Sequence, residues 1–158
     1  MLNRELSRQL QRLQDLIKKA DEACDGNLEL QAHWAKYICV LSAGFLENAI
    51  KEVYTDFAQK QVSQPIANFV ASKLSPIRSP KATLFLETSV AFNAIWKGEL
   101  ETYLNDDGRR EAIDSIMSHR HLIAHGKYFN SGISLAQVKE YIRKAVEVVE
   151  FIEQQCAR

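Results

Sequence analysis

Arg120-His121-Leu122-Ile123-Ala124-His125-Gly126 sets a permanent cation and two imidazoles against a glycine, and the residues leading into it fix how it must be read. Ile113, Ile116 and Met117, followed by Ile123 and Ala124, recur at helical spacing, so the stretch is the last turn of an amphipathic helix beginning near Arg109. Gly126 is its stop signal, since a glycine takes the left-handed C′ conformation without a Cβ penalty. At roughly 100° per residue, His121 and His125 fall nearly on one line, whereas Arg120 and His125 are about 140° apart. For Arg120 and His125 to serve one site, either the last turn loosens at Gly126 or the site is built across a partner surface.

Working outward, every other segment also reads as helix. Leu6, Leu10, Leu13 and Ile17 form a narrow apolar seam between Asn3 and Glu22. Asp25-Gly26-Asn27 is a turn, with Asn27 placed to cap a long central helix that runs to Gln61. Its expected stripe is Trp34, Tyr37, Ile38, Leu41, Phe45, Ala49, Val53 and Phe57. Gly44 inside it costs about 1 kcal/mol relative to alanine, which predicts close approach of another helix there. Gln64-Pro65 opens a short helix lined by Ile66, Phe69, Val70 and Leu74, and Ser75-Pro76 ends it. Ser79-Pro80 repeats the start signal, and the apolar run continues through Phe92 to Leu104, with a break or a kink between Ser89 and Asn93. Asn105-Asp106-Asp107-Gly108 launches the motif helix. After Gly126, Lys127 to Ser131 is a loop adjoining the candidate site. Ser134 to Gln137 has capping-box form with Ile133 and Val138 as a staple, and a terminal helix follows to Gln155. The expectation is an all-α bundle of about five to seven helices in a single domain, residues 1–158.

Composition narrows the function. Twenty Lys+Arg against twenty Asp+Glu argue against wholesale attraction to nucleic acid or to a membrane surface, so any RNA contact is local. Cys24, Cys39 and Cys156 are odd in number and have no C-x-x-C spacing, which indicates neither a disulfide framework nor a zinc knuckle. The N-terminal segment is charged throughout and no long apolar run occurs. A cytoplasmic location without membrane contact is the expectation.

The Arg120 to Gly126 stretch resembles the signature of the HEPN domains, in which an Arg, four to six residues and a His close a helix of a small all-α bundle. Leu41 to Ile50 is similar to that family's acidic second helix, and Ser79 to Arg158 resembles the RiboL-PSP type in layout. The family commonly has Asn or another small polar residue after the Arg, where this chain has His121. The resemblance implies a metal-independent RNase with no cofactor, acting as a homodimer with both Arg-His motifs facing one cleft, either as a toxin held by an antitoxin protein or as a defence effector. It equally includes inactive modules that bind nucleotide, RNA or a protein. It further implies that Glu47 and Asn48 face the cleft and orient Arg120; the alternative is a solvent-facing Glu47 paired with Lys51.

The residue types suit such chemistry. Cleavage by a 2′-hydroxyl needs a base, an acid for the departing 5′-oxygen and a cation for the charge gathering on phosphorus. Histidine supplies base or acid near neutrality, and guanidinium grips two phosphate oxygens. One His125 per chain is short by one proton-transfer group, which His121 or a second protomer would supply. Lys127 and Tyr128 are candidate substrate contacts, through phosphate and base stacking, with Phe129 beside them. Against this stands the plain reading, in which Arg120, His121 and His125 merely complement the negative end of their helix. His121 and His125 at i and i+4 match one face of a metal site, but the ligand set is incomplete and none is assigned. Lys73, Arg78 and Lys81, and Arg109, Arg110 and Lys127, are two local basic groupings.

Overall fold

The computed structural model describes Met1 and residues 3–158, and over these the chain forms seven α-helices and no strand. They are α1 (Arg4–Ala23), α2 (Leu28–Gln61), α3 (Gln64–Leu74), α4 (Ala82–Phe92), α5 (Ala94–Asn105), α6 (Arg109–Ala124) and α7 (Leu135–Cys156), with a single 3-10 turn at Tyr128–Asn130. Polar caps explain most of the boundaries. Asn3 accepts from the amides of Glu5 and Leu6, and Asn27 accepts from Leu30. Asn93 ends α4 and caps α5 by accepting from Ile95, so the stretch from Ser89 to Asn93 is a break rather than a kink. Ser134 and Gln137 complete a capping box at α7, with Ile133 and Val138 both buried beside it.

At 34 residues α2 is about 51 Å long and serves as the spine on which α1, α3, α6 and α7 pack. The core is one cluster in which Ile38, Leu46, Ile50 and Tyr54 of α2 meet Phe85, Leu100, Leu104, Ile113, Ile116 and Ile152. Burial of that apolar surface is the main stabilising term, and α3, α4 and α5, at 11, 11 and 12 residues, are too short to be stable alone in water.

The structure corrects several expectations. Tyr37 and Leu41 of the α2 stripe are exposed, and a Cβ built at Gly44 would meet nothing within 4 Å, so among the described residues no helix makes a close approach at Gly44. On α3 only Ala67 and Leu74 are buried, with Val70 partly so; Ile66 and Phe69 face outward. α4 begins at Ala82 and not at Ser79-Pro80, because Ser79 adopts a left-handed φ of 45°. Two carboxylates hold this loop in place. Glu47 of α2 accepts from the Ser79 amide at 3.0 Å, and Asp114 of α6 accepts from the Ala82 amide at 2.8 Å. The Cys39 thiol of α2 donates to the Ile116 carbonyl at 3.5 Å. Together these contacts run α2 and α6 antiparallel, bringing the N-terminal third of α2 beside the end of α6.

Candidate active site at the end of the sixth helix

Helix α6 is regular through Ala124. His125 is its cap residue at φ −101° and ψ 29°, with its amide donating to the His121 carbonyl at 3.1 Å. Gly126 then takes φ +74°, and the Lys127 amide folds back to donate to the Leu122 carbonyl at 2.9 Å, a Schellman-type closure of the helix. The sequence expectation for Gly126 is met in this geometry. The exposed rings of His121 and His125 end up together, centroids 4.3 Å apart and tilted by 46°. Arg120 is different. It continues the line of Ile113 and Ile116 at the point where the core runs out, so its stem is half-buried. Among the described residues no hydrogen bond, ion pair or ring contact joins Arg120 to His121 or His125, and its guanidinium has no carboxylate partner.

The loop after Gly126 is anchored at both ends. His119 Nδ1 and the buried Ser131 hydroxyl share a hydrogen bond of 2.9 Å, and burial pushes the His119 imidazole below its ordinary pKa. Tyr128 turns toward α2, where its hydroxyl and His33 Nδ1 share a hydrogen bond, the two rings stacking at 5.7 Å. The Lys36 ammonium sits over the Tyr128 ring, 4.6 Å from its centroid. With that face covered, Tyr128 is poorly placed to stack on a base. Phe129, perpendicular to it at 86°, is 90% exposed and is the open aromatic surface of the loop. Lys127 is exposed, and its side chain has no partner among the described residues.

Glu47 and Asn48 are placed elsewhere. The Glu47 carboxylate is occupied by the Ser79 amide, by Lys51 at 3.1 Å and by Arg78 at 3.5 Å; Asn48 donates to Gln9 of α1. Neither orients Arg120, and the i, i+4 pairing with Lys51 is the reading that holds. Burial works to raise the Glu47 pKa, but the Ser79 amide, Lys51 and Arg78 together hold it below the usual carboxylate value. The basic groupings thin out similarly. Arg78 is bound by Glu47 and by the carbonyls of Ser75 and Ile77, Arg109 by Glu147 and Asp106, and Arg110 by Asn105 and Glu101. At the start of α6 the arginines are thus neutralised by carboxylates, whereas at its end Arg120, His121, His125 and Lys127 are not. Sequence reasoning missed Lys36, for which no motif gave a signal, and named Phe129 only beside Tyr128. Among the described residues no group of three or more His, Cys, Asp and Glu side chains is placed to hold a metal ion.

The chain is thus an all-helical bundle in which an Arg-x-x-x-x-His segment closes the sixth helix. The chain belongs to the RiboL-PSP-HEPN family, whose model matches residues 4–158. No curated protein and no solved structure matches it. Among the described residues no helix is long and apolar enough to cross a membrane.

Proposed function

We propose that this chain is a metal-independent endoribonuclease that acts as a homodimer, as a toxin restrained by an antitoxin protein or as a defence effector. The observation that carries this reading is the contrast along α6: its first-turn arginines are carboxylate-paired, while Arg120, His121, His125 and Lys127 stand without acidic partners at its other end. Cations kept free of carboxylates at the negative end of a helix are available to phosphate. In this reading one histidine takes the 2′-hydroxyl proton and a second protonates the departing 5′-oxygen. Arg120 steadies the charge on phosphorus, and Lys127 and Phe129 hold the flanking strand. Since Arg120 and His125 do not touch within one chain, the complete constellation is formed when two α6 ends face each other.

The test is cleavage of single-stranded RNA in the presence of EDTA, with the termini identified. Attack by the 2′-hydroxyl leaves a 2′,3′-cyclic phosphate and a 5′-hydroxyl. His125→Ala is expected to lower the rate by about 10²–10⁴-fold through lost proton transfer. Arg120→Ala is expected to lower it by about 10²–10³-fold through lost charge stabilisation. Both variants keep the fold, because neither side chain is part of the core. The separation of Arg120 from His125 also favours a second reading, a silent module that binds nucleotide, RNA or protein; monomeric behaviour at all concentrations together with no cleavage would establish it.

A further inference from the structure

The side chain that stands out in the molecule is Lys36. It is 8% exposed, yet among the described residues its ammonium has no hydrogen-bond acceptor and no ion-pair partner, only the face of the Tyr128 ring 4.6 Å away. Most of the side chain is buried along its stem, while the ammonium is not among the enclosed polar atoms that lack a partner, so it reaches the surface with no carboxylate beside it. The cation-π contact holds the ammonium in place without using any of its three N–H donors. The position is no less specific. Cys39, one helical turn further along α2, lies against the Ile116 carbonyl and the Arg120 backbone. Lys36 is therefore carried beyond Arg120, to the end of α6, where Tyr128 follows His125 by three residues. The ring that receives it is itself fixed by His33 on the same helix.

We propose that Lys36 is an anion subsite for a phosphodiester of single-stranded RNA, adjacent to the one held by Arg120, and that the fold keeps its ammonium without an acidic partner for that purpose. This rests on the RNA-cleaving reading of the α6 end and extends it to α2, a helix that carries no part of the Arg-His motif. Tyr128 is then the support that aims the ammonium, and Phe129 is left to meet the base. The strand would cross from the end of α6 to the first turns of α2, passing over the 3-10 turn.

The experiment uses the full chain and a 2′-O-methyl oligoribonucleotide, which cannot be cleaved by its own 2′-hydroxyl, with binding followed by fluorescence anisotropy at several salt concentrations. Lys36→Met keeps the length and apolar stem while removing the charge, and Lys36→Gln serves as a second variant. Removing one phosphate contact on a single strand should reduce the slope of log affinity against log salt by about 0.7 and weaken binding for every sequence alike. Because the ammonium makes no ion pair or hydrogen bond among the described residues of the folded chain, the melting temperature of Lys36→Met should stay close to that of the wild type. Unchanged affinity and slope in both variants, or a lower melting temperature with unchanged binding, would overturn the proposal and reduce Lys36 to a prop for Tyr128, leaving the Arg120 and His125 reading intact. A wild-type chain that binds no oligonucleotide, or that binds only mononucleotides, removes the RNA reading itself and this subsite with it.

Discussion

Replacing Glu47 separates a structural carboxylate from one that serves the cleft. Three contacts are lost in Glu47→Ala: the Ser79 amide at 3.0 Å, Lys51 at 3.1 Å and Arg78 at 3.5 Å. The bond from a backbone amide to a carboxylate contributes about 1.5–3 kcal/mol. The pair with Lys51 on the same helix adds about 0.3–0.5 kcal/mol, and Arg78, whose side chain is 65% exposed, adds little. The expected cost is about 2–3 kcal/mol for Glu47→Ala and about half of that for Glu47→Gln, which keeps an acceptor for Ser79. Urea unfolding followed by far-UV circular dichroism reads this directly. Cleavage per folded molecule should not change, and in a double-substitution cycle with Arg120→Met the coupling should stay below about 0.5 kcal/mol in both stability and kcat/KM. Acid adds a further check. A carboxylate held below its ordinary pKa contributes stability that is present above the unfolded-state value and lost as pH falls through the folded-state value. The wild type should consequently lose stability more steeply below about pH 4.5 than Glu47→Gln. A coupling of 1 kcal/mol or more to Arg120, or loss of cleavage at full stability, would refute the reasoning and restore Glu47 to the cleft.

Three other outcomes follow from particular contacts. Gly44→Ala should stabilise the chain by about 0.5–1 kcal/mol, seen as a higher urea midpoint at unchanged slope, because the added methyl meets nothing; destabilisation that depends on protein concentration would show that a second chain packs there. Asp114→Ala should cost about 1–2 kcal/mol and speed hydrogen exchange of the Ala82 amide, since Lys81 offers α4 no side-chain cap, and an unaltered exchange rate would contradict that role. For His119 the folded-state pKa lies below the unfolded one, so the unfolded chain binds the proton first and stability falls as pH drops below about 6.5. His119→Gln should flatten the decline between about pH 7 and pH 5, and identical pH profiles would remove His119 as its source.

The helices were legible wherever the deciding interaction is local. Asn3, Asn27 and Ser134 cap amides two or three residues away, and Gly126 sets its own φ, so their roles can be read from neighbours in the sequence. The start of α4 was not legible, because the loop before it is fixed by Glu47 and Asp114, each 32 residues from the amide it holds. The same distance hid the Ser79 amide and Arg78 as partners of Glu47, whereas Lys51, one helical turn away, was legible. Periodicity marked Tyr37, Leu41, Ile66 and Phe69 as apolar faces, but a period cannot say whether a neighbour exists to cover them. At the site the motif gave Arg120, His121 and His125 their shared helix end. The roles of Lys36 and Phe129 depend on how the loop folds onto α2, information held in the meeting of residues 33–36 with 128.

The thiol of Cys39 gives the protein a built-in clock for the floor of this site. Burial against the α6 carbonyls, only partly offset by the Arg120 backbone, pushes its pKa up to about 12, so in the closed molecule almost no thiolate exists to react. Modification by an aromatic disulfide reagent must wait for α2 and α6 to part. With Cys24 and Cys156 replaced by alanine, the rate at which colour develops under native conditions reports how often the seam beneath Arg120 opens, apart from global unfolding. A bound oligonucleotide bridging the two helices would slow that clock in proportion to how tightly it holds them together.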